Sequence, residues 1–88
     1  MTIVMVKTED LVFQVEPSEN NPKVKNLILR IKSEGLITPL KVTKKIYLNR
    51  IIYKIIDGDH RCKACILLNF KEIKCDIFDE CTILRKYL

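Results

Sequence analysis

The 88-residue chain predicts an α+β (mixed α/β) domain, one unit over residues 1–88 with a sheet of about four strands and two to three helices, and three observations carry that expectation. Runs of period-two or β-branched character alternate with runs of helical period, so strands and helices interleave. Proline and glycine fall between those runs and not inside them. The composition, 48% hydrophobic and 31% charged, suits a chain that buries a core, and so few residues leave room for only one.

The elements follow in order. "LVFQVEP" alternates apolar and polar residues and stops at Pro17, as a strand with one buried face would, and "MTIVMVK" before it adds a short strand. Asn21 precedes Pro22, an N-cap followed by proline at the first helical position. Val24, Leu27, Ile28 and Ile31 then repeat at helical spacing up to a C-terminal cap at Gly35. "LKVTKK" after Thr38-Pro39 reads as a strand, and "RIIYKII", apolar at most positions, as a central strand buried on both faces. The segment "KKIYLNR" between them is expected to be an exposed hairpin tip carrying Lys44, Lys45 and Arg50. "HRCKACILLN" is a helix with Ala64, Cys65 and Leu68 on one face, closing at Asn69, and "EIKCDIF" is a further strand. Asp79 would cap a short last helix, "ECTILRKYL".

A net charge of +5 and a pI near 9.1 favour anionic partners. The first seventeen residues reach acids early and lack the pattern of a secretory leader, and no apolar run approaches the roughly 20 residues of a membrane span. A cytoplasmic location and no membrane partner are expected. Cys62, Cys65, Cys75 and Cys81 do not have the repeated short spacings of a structural zinc site, so zinc is not expected. In a reducing compartment they read as buried free thiols, with disulfides the alternative if the source is a thermophile, for which the abundance of Ile and Lys is a compositional hint.

The segment with most chemistry is "YKIIDGDHRCKACILLNF". A strand that ends in a glycine turn and feeds a helix aims that helix's free N–H groups and positive dipole end at whatever lies beyond the strand, and phosphate suits that place. Gly58 permits positive φ and close approach, Arg61 offers a planar fork for phosphate oxygens, and His60 adds a donor. Asp57 and Asp59 would repel a bare phosphate but make sense as ligands of Mg²⁺. Equally, Asp59 could cap the helix while Asp57 closes the turn and Arg61 pairs with one of them.

Two signatures add a resemblance. "GLITPLKV", Gly35 to Val42, followed about fifteen residues later by "DGDHRCKACILLNFKEI", resembles the ParB/sulfiredoxin superfamily. Gly35, Leu36, Pro39, Leu40 and Val42 match the G-L-x-x-P-φ-x-V segment of ParB N-terminal domains, and Gly58, Asp59, Arg61 and Ala64 match a G-E-R-R-x-x-A segment with His60 in place of the first arginine. The resemblance implies that Gly58, His60 and Arg61 contact the phosphates of ATP, ADP or CTP, with Asp59 in the same turn; Mg²⁺ on Asp57 and Asp59 is the expectation from their own chemistry. Sulfiredoxins carry a catalytic cysteine where this chain has Asp59, so sulfiredoxin reductase activity is not expected. The free serine kinases carry D-G-H-H-R, from which "DGDHR" differs only at Asp59. Similarity to those kinases implies a catalytic set of Glu19 (with Glu16 second) as base, Asp57 and His60, and an NTPase or small-molecule kinase activity. The E-N-x-Q-R segment and DNA-reading domain of ParB proteins have no counterpart up to Leu88.

Two other functions fit the same residues. Lys44, Lys45 and Arg50, with Lys41 and Lys54 nearby, would suit a basic module or nuclease that binds DNA without sequence specificity. A fold retained without chemistry would act as an oligomeric regulator, a homodimer at simplest.

Overall fold

A computed structural model describes residues 2–36 and 38–78, so the C-terminal helix expected from Asp79 onward, and Cys81 with it, lie outside the described residues. The elements are β1 (Ile3–Lys7), a 3₁₀ turn (Thr8–Asp10), β2 (Leu11–Val12), α1 (Pro22–Glu34), β3 (Leu40–Tyr47), β4 (Arg50–Asp57), α2 (Asp59–Leu67) and β5 (Glu72–Phe78). The α+β expectation holds, with five strands instead of about four. They form one mixed sheet in the order β1-β5-β3-β4-β2. Here β5 runs antiparallel to β1 and parallel to β3, while β4 runs antiparallel to β3 and parallel to β2.

Helix α1 forms where its caps place it. The Asn21 side chain accepts from the Lys23 N–H at 2.9 Å, Pro22 occupies the first turn, and Gly35 at φ 79° ends the helix with its N–H on the Ile31 carbonyl. Val24 and Ile31 from α1 and Cys62, Ala64 and Cys65 from α2 bury against Val6, Leu40, Val42, Ile55, Ile73 and Cys75 of the sheet. Both helices therefore cover one side of the sheet. Asn69 takes the left-handed conformation expected of it, φ 65°.

Three expectations are corrected. First, "LVFQVEP" is a strand only at Leu11 and Val12, because the next free amides, of Gln14 and Val15, donate to the Asp59 carboxylate instead of to β4. Second, β4 is not buried on both faces: it lies next to the two-residue edge strand, the helices cover one side, and Ile55 alone in it is fully buried. Third, the hairpin tip is shorter than expected. Strand β3 continues to Tyr47, and only Leu48 and Asn49, both at positive φ (49° and 62°), make the turn. That pair of left-handed residues matches the right-handed twist of the flanking strands. Lys44 and Lys45 are consequently strand residues. A bulge between Lys41 and Val42, opposite Ile55 to Asp57, bends the end of β4 just before Gly58.

Cys62, Cys65 and Cys75 are free thiols in the core, and burial pushes their pKa values up, to about 12, 11 and 11. In the unfolded chain the same thiols would ionise near the ordinary value of 9.0. The folded state holds its protons to higher pH, so stability should be at its full value below about pH 9 and fall as pH rises toward 11–12. Alkylation followed by mass spectrometry should leave these three thiols unmodified in native protein and modify all three in denaturant. Prompt native labelling of Cys62 or Cys65 would contradict the packing described.

Candidate functional site

The turn that joins β4 to α2 is built around Gly58. Its φ of 118° and ψ of 23° are left-handed, and a Cβ placed there would lie 2.7 Å from Leu40 Cδ2 and 3.2 Å from Arg61 Nη2. Both the conformation and the space require glycine. The first helical hydrogen bond of α2 runs from Cys62 N–H to the Gly58 carbonyl, 2.8 Å, and no side chain caps the helix. The amides of Asp59, His60 and Arg61 thus precede that bond at the positive end of a nine-residue helix.

Arg61 ties the turn to the start of β3. Its Nη1 donates to the carbonyls of Thr38 (3.2 Å) and Pro39 (3.0 Å), and its Nη2 to Asp57 Oδ2 (3.3 Å). The side of the fork that faces Thr38 and Pro39 is already in use, so its Nη2 side and its charge are what it can offer an anion. Asp57 is largely exposed and its ion pair with Arg61 is long, the kind that contributes at most about 1 kcal/mol.

Asp59 is placed differently from Asp57. Its two carboxylate oxygens accept from the N–H groups of Gln14 (3.1 Å) and Val15 (3.0 Å), fastening the loop after β2 to the head of α2. One turn further along α2, Lys63 Nζ meets Glu16 Oε2 at 2.8 Å and stitches the same loop a second time. Of the two carboxylates expected to hold Mg²⁺, Asp57 is open and Asp59 is committed to amides. Among the described residues, no three His, Cys, Asp or Glu side chains are gathered where they could hold a metal ion. A hard cation here would rely on the open carboxylate, on water and on phosphate oxygens.

A cleft of about 400 Å³ opens beside the turn, lined by Asp57, Gly58, His60 and Arg61 and by Lys23, Asn26, Leu27 and Arg30 of α1. A second hollow of about 260 Å³ shares Leu27, Arg30 and Arg61 with it and reaches Gly35, Leu36 and Thr38. Lys23, Asn26 and Arg30 went unrecognised in the sequence. They form a polar stripe at helical spacing next to the apolar stripe of α1, and that spacing was the signal available. Glu19 is exposed on the turn that leads into α1 and is not among the residues lining either hollow. Arg50, expected on a nucleic-acid surface, instead donates to Asp10 Oδ1 (2.8 Å) and the Glu9 carbonyl (3.1 Å), and the Asp10 carboxylate raises its pKa further. Lys44 and Lys45 are adjacent in β3 and so point to opposite faces; the structure does not bring the three basic residues together.

A mixed sheet with two helices on one side, and a glycine turn that sets an uncapped helix N-terminus beside a cleft lined by Lys23, Arg30 and Arg61, define the class: an α+β domain with a strand-turn-helix at its main cleft. The model of the ParB N-terminal domain matches residues 1–86, and the chain belongs to that family, within the ParB/sulfiredoxin superfamily. Comparison with curated protein sequences gives no match. Among solved structures, sulfiredoxin from Arabidopsis thaliana is similar over 100% of this chain and 99% of its own, at 24% identity and TM-score 0.70. ParB from Caulobacter crescentus, complexed with CTP-gamma-S, is similar over 90% of this chain and 45% of that one, at 17% identity and TM-score 0.71. A free serine kinase mutant in complex with ADP is similar over 89% and 31%, at 18% identity and TM-score 0.74. The chain thus spans less than half of the ParB and kinase structures it resembles, and these likenesses establish its fold.

Gly58→Ala should lower stability by about 1–3 kcal/mol, from the left-handed backbone and the collision with buried Leu40, read as a lower denaturant midpoint at unchanged slope. Asp59→Asn cannot accept from both amides, and should cost about 1–2 kcal/mol while exposing the loop at residues 13–16 to protease. Unchanged loop protection in Asp59→Asn would remove the anchoring role given to Asp59.

Proposed function

We propose that this domain binds a nucleotide through its phosphates, in the cleft between α1 and the head of α2. The observation that carries this is the convergence, on one cleft of about 400 Å³, of the uncapped N-terminus of α2 and four cationic or donor side chains, Lys23, Arg30, His60 and Arg61. Backbone amides and the Gly58 turn would take the phosphate nearest the helix. Lys23 and Arg30 would neutralise the remainder from the facing helix, and Leu27 provides an apolar wall. The nucleotides named for similar structures, CTP-gamma-S with ParB and ADP or AMP with the free serine kinase, support the same class of ligand for this turn.

Mg²⁺ is assigned to Asp57, the open carboxylate of the cleft, together with phosphate oxygens and water; it would supply charge neutralisation there. We assign binding to the cleft and no turnover. Asp57 and His60 line it, but Glu19, the base that similarity to the kinases implies, lies outside its lining.

Calorimetry with ATP, ADP and CTP, each with Mg²⁺, should give dissociation constants below about a millimolar. Removing a charge-assisted contact in Arg30→Ala should weaken binding by roughly 10-fold or more without moving the unfolding midpoint. Absence of binding, or equal binding by Arg30→Ala and Lys23→Ala, would overturn the proposal.

A further inference from the structure

Strand β1 forms one edge of the sheet and, among the described residues, pairs only with β5. Two hydrogen bonds show which way its backbone groups point. Ile77 N–H donates to the Thr2 carbonyl (2.8 Å) and Thr8 N–H to the Lys71 carbonyl (3.0 Å), and these two pairs continue the β1–β5 register at either end. In an antiparallel ladder such bonded pairs alternate with unbonded ones. Val4 and Val6 therefore turn their amides and carbonyls toward β5, whereas Ile3, Met5 and the Lys7 amide face outward.

That outward edge lacks the devices that keep sheet edges from pairing. Strand β1 has no proline, no acid and no bulge, and its one charge, Lys7, stands at the end. Ile3 and Met5 are 41% and 55% exposed. The order Ile-Val-Met-Val-Lys also suits a two-fold axis through Met5. Antiparallel pairing with a second β1 about that axis sets Met5 against Met5, Val4 against Val6 and Ile3 against Lys7. Every pair keeps its parity, so each side chain meets one from the same face of the sheet. On the helix side, Val6 is buried and Val4 packs against the core, and their pairing would carry the apolar row from one copy into the next. On the other side, the two methionines cover each other and Ile3 lies along the aliphatic stem of Lys7.

The charges agree with this register. The central row would read Lys74, Met5, Met5, Lys74, with the two lysines three strand spacings apart, about 14 Å and beyond a Debye length at physiological salt. The rows beside it would read Glu72, Lys7, Ile3, Asp76, a lysine with acids at both outer positions.

We propose that two copies of this chain associate through β1, edge to edge and antiparallel about Met5, so that two five-stranded sheets become one continuous sheet. An isologous contact needs a surface that matches itself, and a second copy meets that condition in backbone direction, in face and in charge together. The contact uses no residue that lines the nucleotide cleft and is independent of it.

Sedimentation equilibrium and amide exchange by NMR, on the untagged whole chain at low and high protein concentration, test this. Concentrated protein should be dimeric and should dissociate on dilution. The amides of Ile3 and Met5 should gain roughly 10-fold or more protection in the dimer, while those of Val4 and Val6, already bonded to β5, should be protected at both concentrations. Met5→Glu keeps an attractive neighbour in Lys74 within its own chain but brings two carboxylates together on the axis; it should weaken the dimer roughly 10-fold without lowering the unfolding midpoint of dilute protein. Leu48→Glu, at the 83% exposed hairpin tip, should leave the dimer unchanged. A monomer at every concentration, equal weakening by the two variants, or a dimer whose Ile3 and Met5 amides exchange as freely as in the monomer would overturn the proposal.

Discussion

The contact between Arg61 and the carbonyls of Thr38 and Pro39, closed over by Leu40 against Gly58, is the constraint on which the rest of the cleft depends. It joins the head of α2 to the entry of β3, the middle strand of the sheet. Leu40 is completely buried and sits 2.7 Å from where a Gly58 side chain would begin, so turn and strand can approach only because that side chain is absent. The two short motifs that mark this family are therefore two halves of one contact. A guanidinium suits the position because one of its nitrogens meets both carbonyls while the other reaches Asp57, a planar arrangement that a lysine ammonium would not provide in fixed geometry.

The same contact resolves an electrostatic conflict. Two aspartates flank a turn that is otherwise suited to an anion, and each is answered locally. Asp57 has the second guanidinium nitrogen of Arg61, and Asp59 has two backbone amides. Amides carry no net charge, so a carboxylate held by them is not neutralised; near the helix terminus it favours the dipole of α2 and would oppose any anion brought there. The cations that tip the balance come from the opposite wall, Lys23 and Arg30. This explains why a cleft that looks ambivalent along one segment of sequence is basic in three dimensions.

Local elements were legible because their signals are local. Asn21-Pro22, Gly35 and Asn69 bound their helices where capping chemistry places them, and β5 coincides with "EIKCDIF". The failures share one cause, which is that tertiary partners decided them. "LVFQVEP" alternates like a strand, yet residues 14 and 15 give their amides to an aspartate 45 and 44 positions away. "RIIYKII" has the apolar content of a central strand, but its place beside a two-residue edge strand comes from sheet order, which residue pattern does not encode. Gly58, His60 and Arg61 could be read together because they lie within four residues on a strand-turn-helix. Lys23, Asn26 and Arg30 could not, since only the packing of α1 on α2 brings them there.

Register links the two faces of the sheet. A strand slipped by one residue turns every side chain over, and here both faces would lose what they hold. The buried row through Val42 and Ile55 and the row through Thr43 and Lys54 are adjacent in the same β3–β4 pairing. One row is specified by the core, and the row on the other side, of which Thr43 is buried and Lys54 exposed, follows from it. Among the described strand pairs the bulge opposite Lys41 is the single interruption, and it falls at the last residues of β4 before Gly58. By absorbing one extra residue there, the strand keeps Ile55 in the core while changing the direction in which Asp57 and Gly58 leave the sheet. The core thus sets through register which side chains face away from the helices, and the bulge lets the Gly58 turn be aimed independently of them.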